Sequence, residues 1–201
     1  MKIGIYGGTF DPPHIGHVRA FTSFIESFVF DKVYVIPANI PPHKQLKSKT
    51  SANDRLNMAK IAFEGLSENV EVSDLEIQRQ GKSYTADTLK NFKENGCDDI
   101  YFLCGTDMFL TLDLWYNPEY IFSNCTIVFA RREADAAISE EIKRKTQEYL
   151  DRFNAKIVFL DTDVLVASST EIREAIAGGS YHFLSDGVTE YIKTNGLYIE
   201  G

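Results

Sequence analysis

The hydrophobic positions along the chain follow two alternating patterns. Short apolar runs rich in β-branched residues predict strands at 2–6, 33–36, 70–73, 100–104, 126–130 and 156–160. Apolar residues at helical spacing predict helices at 17–28, 52–64, 85–94, 139–153, 168–177 and 188–194. Because short strands alternate with longer helices, we expect an α/β fold with a doubly wound, mainly parallel sheet and helices on both faces.

Glycines mark the ends of several predicted helices, as at Asn95-Gly96 and Gly178-Gly179. The chain shows no internal repeat, low-complexity segment or long linker. We therefore predict one domain over 1–201, with the C-terminal helical region, about 165–201, as an integral part. Such sheets bind ligands at the carboxyl ends of their strands, which directs attention to the loop after the first strand.

Charge and composition narrow the choice of partners. The formal net charge is −8, which argues against a broad basic surface for nucleic acid. No apolar run approaches the roughly 20 residues of a membrane span, and the N-terminus has no signal-peptide pattern. Cys97, Cys104 and Cys125 are odd in number and lack metal-ligand spacing, so we expect reduced, buried thiols and a cytoplasmic protein. Whether the chain forms a homo-oligomer stays open.

The loop that follows the first strand reads GGTFDPPHIGH and contains two of the four histidines. Gly7 and Gly8 would let the backbone approach a ligand and adopt positive φ. The next helix is expected to start near 16–17, where its free N–H groups form an anion site. His14 and His17, three residues apart, could then lean toward the helix start and donate to phosphate oxygens.

Simpler interpretations of this loop stay open at this point. Two histidines with Asp11 could bind a metal, although the spacing supplies few ligands, or they could be incidental turn residues. The segment is neither a P-loop nor a GxGxxG dinucleotide motif.

The run GGTFDPPHIGH resembles the signature of the HxGH-containing nucleotidyltransferases, with His14-Ile15-Gly16-His17 as the tetrapeptide. In its full length it is most similar to the bacterial nicotinate-mononucleotide adenylyltransferase family. The resemblance implies a Rossmann-like nucleotidyltransferase fold and transfer of AMP from ATP to nicotinate mononucleotide in NAD biosynthesis. The products would be nicotinate adenine dinucleotide and pyrophosphate. It also implies Mg²⁺, held mainly by the substrate phosphates rather than by a protein metal site.

A second polar segment, SSTEIR, lies near the C-terminal end. Ser168 and Glu171 form a capping-box pattern, so the residues alone predict a helix N-terminus. The resemblance implies more, since similar enzymes hold the ATP phosphates with an SSTxxR segment. It assigns catalytic roles to His14, His17 and Arg173. The implied ATP-binding residues are these three with Gly7, Gly8, Thr9, Phe10, Gly105, Asp107, Ser168, Ser169 and Thr170.

The middle of the chain carries the implied mononucleotide site. By the resemblance, Trp115 would pack on the pyridine ring, where an aromatic face suits a cationic ring. The complete implied set is Asn39, Lys44, Thr85, Trp115, Tyr116 and Arg131. Without the resemblance, these would be a surface loop, a helix N-cap and a core tryptophan. Arg132-Glu133 stands where the family usually has Pro-Gly, which leaves the direction of Arg131 open.

Other functions remain as alternatives. The chain could be another HxGH adenylyltransferase, acting on nicotinamide mononucleotide or phosphopantetheine, or a non-catalytic nucleotide sensor. A fragment of a class I tRNA synthetase fits less well, because the chain is short and acidic and has no KMSKS-like loop.

Overall fold

Six parallel strands form the central sheet of the computed structural model, which describes residues 1–42, 50–130, 136–160 and 168–199. The strands are β1 (Lys2–Gly8), β2 (Lys32–Pro37), β3 (Val70–Val72), β4 (Asp99–Gly105), β5 (Thr126–Ala130) and β6 (Lys156–Leu160). Their order is β3-β2-β1-β4-β5-β6, and every pairing between them is parallel. All six strands were predicted, with ends that differ by at most two residues.

The helices alternate with the strands and are α1 (Ile15–Ser27), α2 (Ala52–Phe63), α3 (Leu75–Arg79), α4 (Thr85–Glu94), α5 (Thr106–Phe109), α6 (Pro118–Asn124), α7 (Ala136–Phe153), α8 (Ser169–Ala177) and α9 (Asp186–Thr194). A 3-10 helix covers Leu112–Leu114. The six predicted helices are confirmed. The sequence pattern missed α3, α5 and α6, because helices of four to seven residues are too short to show a 3.6-residue period.

The sheet is covered by helices on both faces, as expected for a parallel sheet. Side chains alternate along β1, so Ile5 and Tyr6 enter different core clusters. Ile5 packs in the cluster that holds Leu89 of α4, and Tyr6 in the cluster that holds Phe21 of α1 and Phe63 of α2. The doubly wound α/β prediction is therefore confirmed.

The direction of strand order changes at β1. The chain first builds outward through β2 and β3, then crosses to β4 on the other side of β1. Loops from the two halves diverge at this point and leave a crevice at the carboxyl ends of β1 and β4, where doubly wound sheets bind ligands.

The C-terminal helices α8 and α9 pack against α2 rather than against the sheet. Met58 of α2 shares an apolar cluster with Ile172 and Ile176 of α8 and with Val188 and Ile192 of α9. This shared cluster supports the prediction of one domain over 1–201, which stays a prediction.

The three cysteines are buried and unbonded, as expected from their number and spacing. Burial raises the pKa of the Cys125 thiol to about 12, so this thiol is inert at neutral pH. Within the described ranges, no helix has the length and apolar character needed to cross a membrane.

Candidate active site

The loop after β1 carries its unusual backbone at Phe10, not at the glycines. Gly7 and Gly8 continue β1 as extended strand, so the prediction of positive φ for them is wrong. Phe10 instead has φ of 51°. A Cβ on Gly8 would lie 2.8 Å from the Phe10 ring. Glycine is therefore needed at position 8 because the phenyl ring lies against the strand end.

The two histidines form one stacked unit at the start of α1. The helix begins at Ile15 with His14 as its N-cap, earlier than the predicted start near 16–17. The backbone N–H of His14 donates to Nδ1 of His17 at 3.2 Å, and the ring centroids lie 3.7 Å apart. Because Nδ1 accepts, the proton of a neutral His17 ring resides on Nε2.

The two rings differ in their access to the cleft. His17 is half-buried and lines the cleft, and the centroid of its ring lies 5.3 Å from that of the Phe10 ring. His14 is only 2% exposed and is not among the lining residues. The structure therefore brings His17, and not His14, to the cleft surface.

The start of α8 faces this loop. Oγ of Ser168 accepts from the N–H of Glu171 at 3.2 Å, and the Glu171 carboxylate accepts from the N–H of Ser168 at 3.3 Å, so the predicted capping box is confirmed. Ser168, Ser169 and Thr170 line the cleft. The free N–H groups of this helix end therefore lie at the cleft, as an anion site requires.

Arg173 joins the start of α8 to the loop after β1. One guanidinium nitrogen, Nη1, donates to the carbonyl of Asp11 at 2.6 Å, and Nη2 donates to Oγ1 of Thr170 at 3.1 Å. Oγ of Ser169 donates to the carbonyl of Pro12 at 3.3 Å. Segments about 160 residues apart in the chain are thereby held together on one side of the cleft.

Tyr198 and Asp11 form a further contact that sequence reasoning missed. The Tyr198 hydroxyl donates to Oδ1 of Asp11 at 2.6 Å, and Nη1 of Arg173 lies 3.8 Å from Oδ2. Burial and the Asp11 charge raise the pKa of Tyr198 well above its ordinary value, so its hydroxyl remains a proton donor. No local pattern near 198 could have indicated this contact.

Arg55 was also missed, because an arginine in an amphipathic helix is ordinarily a solvated residue. Its side chain is 0% exposed. The guanidinium donates to the carbonyls of Thr9, Ala38 and Asn39, which belong to the loops after β1 and β2. Burial lowers the pKa of Arg55, and the charge of Asp11 opposes that shift.

Gly105 and Asp107 lie where β4 ends, on the other side of the crevice. Gly105 is the N-cap of α5, and Asp107 is exposed in the first turn of this short helix. Both residues line the cleft. The structure therefore brings the predicted pair to the same cleft as Gly7, Gly8, Thr9 and Phe10.

Aromatic rings line the far end of the cleft. Thr85 begins α4, and the Tyr84 and Tyr116 rings lie 4.7 Å apart. Trp115 donates from Nε1 to Oγ1 of Thr111 at 3.3 Å. Thr85, Trp115 and Tyr116 all line the cleft, as predicted. We call this group, with Tyr84, the aromatic end; the loop 9–17 and the start of α8 form the phosphate end.

Glu76 is a buried carboxylate at the aromatic end and was not predicted. It is 7% exposed, lines the cleft and accepts from Oγ1 of Thr88 at 2.6 Å. Burial raises the pKa of Glu76, although hydrogen bonds from Thr88 and Ser83 oppose that shift.

Three predicted site residues remain, namely Asn39, Lys44 and Arg131. The backbone N–H of Asn39 donates to Oγ of Ser83 at 2.8 Å, and its Nδ2 donates to the carbonyl of Gly81 at 3.1 Å. Asn39 is not among the lining residues, so its side chain fastens the loop rather than facing the cleft. Lys44 and Arg131 lie outside the described residues.

The donors around the cleft fit a magnesium ion that arrives with a triphosphate. Among the described residues, no three His, Cys, Asp or Glu side chains group as a metal site. Asp107 offers an exposed carboxylate at the cleft. Mg²⁺ is commonly held by one or two carboxylates together with substrate phosphates and water, so this donor set suits it.

The cleft has a volume of about 440 Å³, within the range of small-molecule sites. It combines the free backbone amides at the start of α8 with an aromatic surface at its other end. The expected anion site at the start of α1 is not formed in this way, because the N–H of Ile15 donates to the carbonyl of Phe183 and that of His17 to the carbonyl of His14. These features, at the switch point of a doubly wound sheet, define an α/β protein with a nucleotidyltransferase fold.

Comparison with known proteins identifies the family. Residues 5–175 match the Cytidylyltransferase-like family. A probable nicotinate-nucleotide adenylyltransferase of Desulfatibacillum aliphaticivorans is 37% identical over 99% of this chain and 100% of its own. Another of that name, from Clostridium novyi (strain NT), is 40% identical over 87% of this chain and 86% of its own. The chain belongs to the cytidylyltransferase-like family and, within it, to the family of these probable nicotinate-nucleotide adenylyltransferases.

A solved structure shows the same fold. The chain is similar to the Plasmodium falciparum nicotinic acid mononucleotide adenylyltransferase complexed with NaAD, with a TM-score of 0.77 and 21% identity. The similarity covers 100% of this chain and 98% of the other.

Proposed function

We propose that this chain transfers the adenylyl group of ATP to nicotinate mononucleotide, giving nicotinate adenine dinucleotide and pyrophosphate, in NAD biosynthesis. The observation that carries the proposal is the continuous cleft whose phosphate end and aromatic end suit two different parts of one reaction. The family membership supports the same reaction. A phosphate oxygen of the mononucleotide attacks the α-phosphorus of ATP, and the bond from that phosphorus to the β-phosphate oxygen breaks.

This reaction depends chiefly on charge stabilisation. The attacking phosphate oxygen is already deprotonated, so the step needs positioning and donors rather than a base. We assign His17 to donate from Nε2 to the transferring phosphate, because its Nδ1 is already occupied as an acceptor. Arg173 and the amides of Ser169 and Thr170 would hold the remaining phosphates, while the N–H of Ser168 stays bound to the Glu171 carboxylate.

His14 has an indirect place in this assignment. Its backbone N–H fixes the orientation of the His17 ring, and its own ring stacks behind it. The resemblance implies a catalytic contact of His14 with phosphate. This contact stays a prediction, because the His14 ring is buried and does not line the cleft.

Mg²⁺ would be held mainly by the triphosphate, and Asp107, implied as an ATP-binding residue, offers an exposed carboxylate of the cleft beside it. When bound, the ion neutralises phosphate charge. The walls along the ATP would be formed by residues at the ends of β1 and β4 that line the cleft, namely Gly7, Gly8, Thr9, Phe10 and Gly105.

The aromatic end would take the mononucleotide. Trp115 and Tyr116 offer ring faces to the cationic pyridine ring, and Thr85 lies at the free amides of the α4 start, which suit its carboxylate. The contacts of Asn39 favour a supporting role for that residue. Roles for Lys44 and Arg131, a homo-oligomer and the cytoplasmic location stay predictions.

Pyrophosphate release from ATP and Mg²⁺ tests the proposal, with nicotinate mononucleotide, nicotinamide mononucleotide and phosphopantetheine supplied separately. We expect turnover with the nicotinate form at least roughly tenfold faster than with the amide, a discrimination of about 1.4 kcal/mol. Release only with phosphopantetheine would assign the chain to a sibling activity. Release with none would contradict the proposal and favour a nucleotide sensor.

A further inference from the structure

Among the described residues, Arg55 has the largest side chain that is fully buried. We propose that Arg55 is a positioning residue that fixes the two ends of the cleft relative to each other. The inference rests on the proposed function, because it concerns the alignment of two substrates. It assigns a part in the reaction to α2, whose Phe63 also packs against the Phe10 ring of the cleft wall.

The contacts of Arg55 reach both loops. Nη1 donates to the carbonyl of Thr9 at 2.9 Å, in the loop after β1. The same nitrogen donates to the carbonyl of Ala38 at 2.5 Å, and Nη2 donates to that of Asn39 at 2.8 Å, both after β2. Thr9 and Ala38 line the cleft. One rigid, planar group therefore joins two segments of the cleft wall.

The position of these contacts relative to the sheet explains their importance. The β1–β2 pairing ends at Gly8 and Pro37, and the N–H of Ala38 makes one more bond to the Gly8 carbonyl at 2.9 Å. Beyond that bond the chains leave the sheet for different loops. The guanidinium continues the cross-link for one further residue on each side, because it supplies donors to carbonyls past the ladder.

Burying this charge is costly, which indicates what the arginine contributes. A well-packed apolar side chain of similar volume would avoid the desolvation of a guanidinium. The charge of the Asp11 carboxylate offsets part of this cost, and the same carboxylate also meets Arg173 and Tyr198. The fork geometry of arginine, which lysine lacks, is therefore the property that the three carbonyls use.

The consequence concerns alignment rather than affinity. The loop at Thr9 leads to the phosphate end, and the loop at Ala38–Asn39 is fastened to Ser83 and Gly81, next to the aromatic end. In-line attack requires both substrates at the correct separation, and a displacement of about 1 Å can lower a rate by roughly 10²-fold. Arg55 would act on this separation without touching either substrate.

The test compares ligands that occupy one end with a ligand that spans both. Arg55→Met removes the donors at similar length, Arg55→Lys keeps the charge without the fork, and Lys60→Met is the control at an exposed position of α2. Calorimetry measures the Kd for ATP, for nicotinate mononucleotide and for the dinucleotide product, alongside kcat and thermal unfolding.

We expect both Arg55 variants to weaken dinucleotide binding by at least roughly tenfold and each single substrate by less than about threefold. With alignment lost, kcat should fall by about 30-fold or more while each KM changes little. Lys60→Met should match the unaltered chain. If Arg55 contributed to stability alone, the variants would unfold at a lower temperature, but their affinity for the dinucleotide would fall no more than their affinity for each single substrate.

Equal weakening of all three ligands, weakening of only one substrate, or failure of both variants to fold would overturn the inference. The unaltered chain separates this result from failure of the proposed function. If it neither forms nor binds the dinucleotide, the proposed function fails. If it does both and the Arg55 variants show no selective loss, only the positioning role is wrong.

Discussion

The two ends of the cleft are built differently. At the phosphate end, the loop after β1 is fixed by partly buried polar contacts, in which Arg173, Ser169 and Tyr198 donate to Asp11 and Pro12. At the aromatic end, rings lie against each other at the surface, and Tyr116 is 55% exposed. The loop at the phosphate end is held directly by directional bonds from distant parts of the chain, whereas the rings of the aromatic end are held by packing against each other.

This difference follows from the chemistry that each end would perform. Charge that develops in a transition state is stabilised most by donors that are already oriented, since they need not reorganise during the reaction. A ring that binds a flat substrate tolerates small displacements and must let the substrate enter and leave. Substitutions at the phosphate end should therefore lower kcat, and substitutions at the aromatic end should raise KM for the mononucleotide.

The largest expected effect is at His17. His17→Ala removes the Nε2 donor and should lower kcat by roughly 10²–10³, because loss of one donor to a transition state typically costs about 2.7–4 kcal/mol. KM for ATP should change by less than about threefold. Steady-state kinetics of pyrophosphate release measure both. His182→Ala, at an exposed position, is the control. An unchanged kcat with a raised KM would make His17 a binding group.

The next effect concerns the support beneath the aromatic end. Nζ of Lys145 lies 2.8 Å from Oδ2 of Asp113, with side chains 11% and 7% exposed, and Tyr149 donates to Oδ1 at 2.9 Å. Asp113 belongs to the 3-10 helix just before Trp115. Asp113→Asn should lower the free energy of unfolding by about 3 kcal/mol, as expected when a largely buried ion pair loses one partner.

The effect of Asp113→Asn should depend on pH. Burial alone would raise the pKa of Asp113, but hydrogen bonds from Lys145 and Tyr149 outweigh burial and lower it. The stabilisation is therefore complete above the ordinary carboxyl pKa of about 3.9 and disappears as the pH falls through the lowered value. Denaturant unfolding at pH 7 and in acid measures this. Glu140→Gln, which breaks a pair with 74% exposed side chains, should have no measurable effect. An equal loss at all pH values would contradict the assignment.

A smaller effect is expected at Trp115. Trp115→Ala should raise KM for nicotinate mononucleotide by roughly tenfold, in line with about 1–2 kcal/mol for a cation–aromatic contact. Trp115→Phe keeps a ring face and should retain most of the affinity. The Kd for ATP, measured by calorimetry, should not change. A loss of ATP affinity in Trp115→Ala would show that the two ends are not separate in function.

The smallest effect should come from Tyr198. Tyr198→Phe removes the donor to Asp11 and should lower kcat by about three- to tenfold, since a hydrogen bond to a charged group is worth about 1.5–3 kcal/mol and Arg173 still holds the loop. Tyr191→Phe is a matched control, because the Tyr191 hydroxyl also donates to a carboxylate, Oδ1 of Asp54 at a distance of 3.0 Å. Neither residue lines the cleft. This control should lower stability and leave kcat unchanged. If both variants have the same kcat, Asp11 needs no support from Tyr198.

Much of the fold could be predicted from the chain because its signals are local. The six strands and six longer helices show hydrophobic periods within single segments, and the capping box at Ser168 needs only four residues. The errors were local as well. The positive φ falls on Phe10 rather than on Gly8, since the packing of the Phe10 ring, not residue preference, determines that turn.

The sequence by itself determined the α/β class, the histidine loop and the family of the chain, because residue spacing and motif chemistry carry that information. Only the tertiary structure decided that Arg55 bonds to Thr9, that Tyr198 bonds to Asp11 and that Glu76 lines the cleft. These contacts join residues as far as 187 positions apart. Charged and hydroxyl side chains of this kind leave no periodic signal, and they become partners only when the folded sheet brings their segments together.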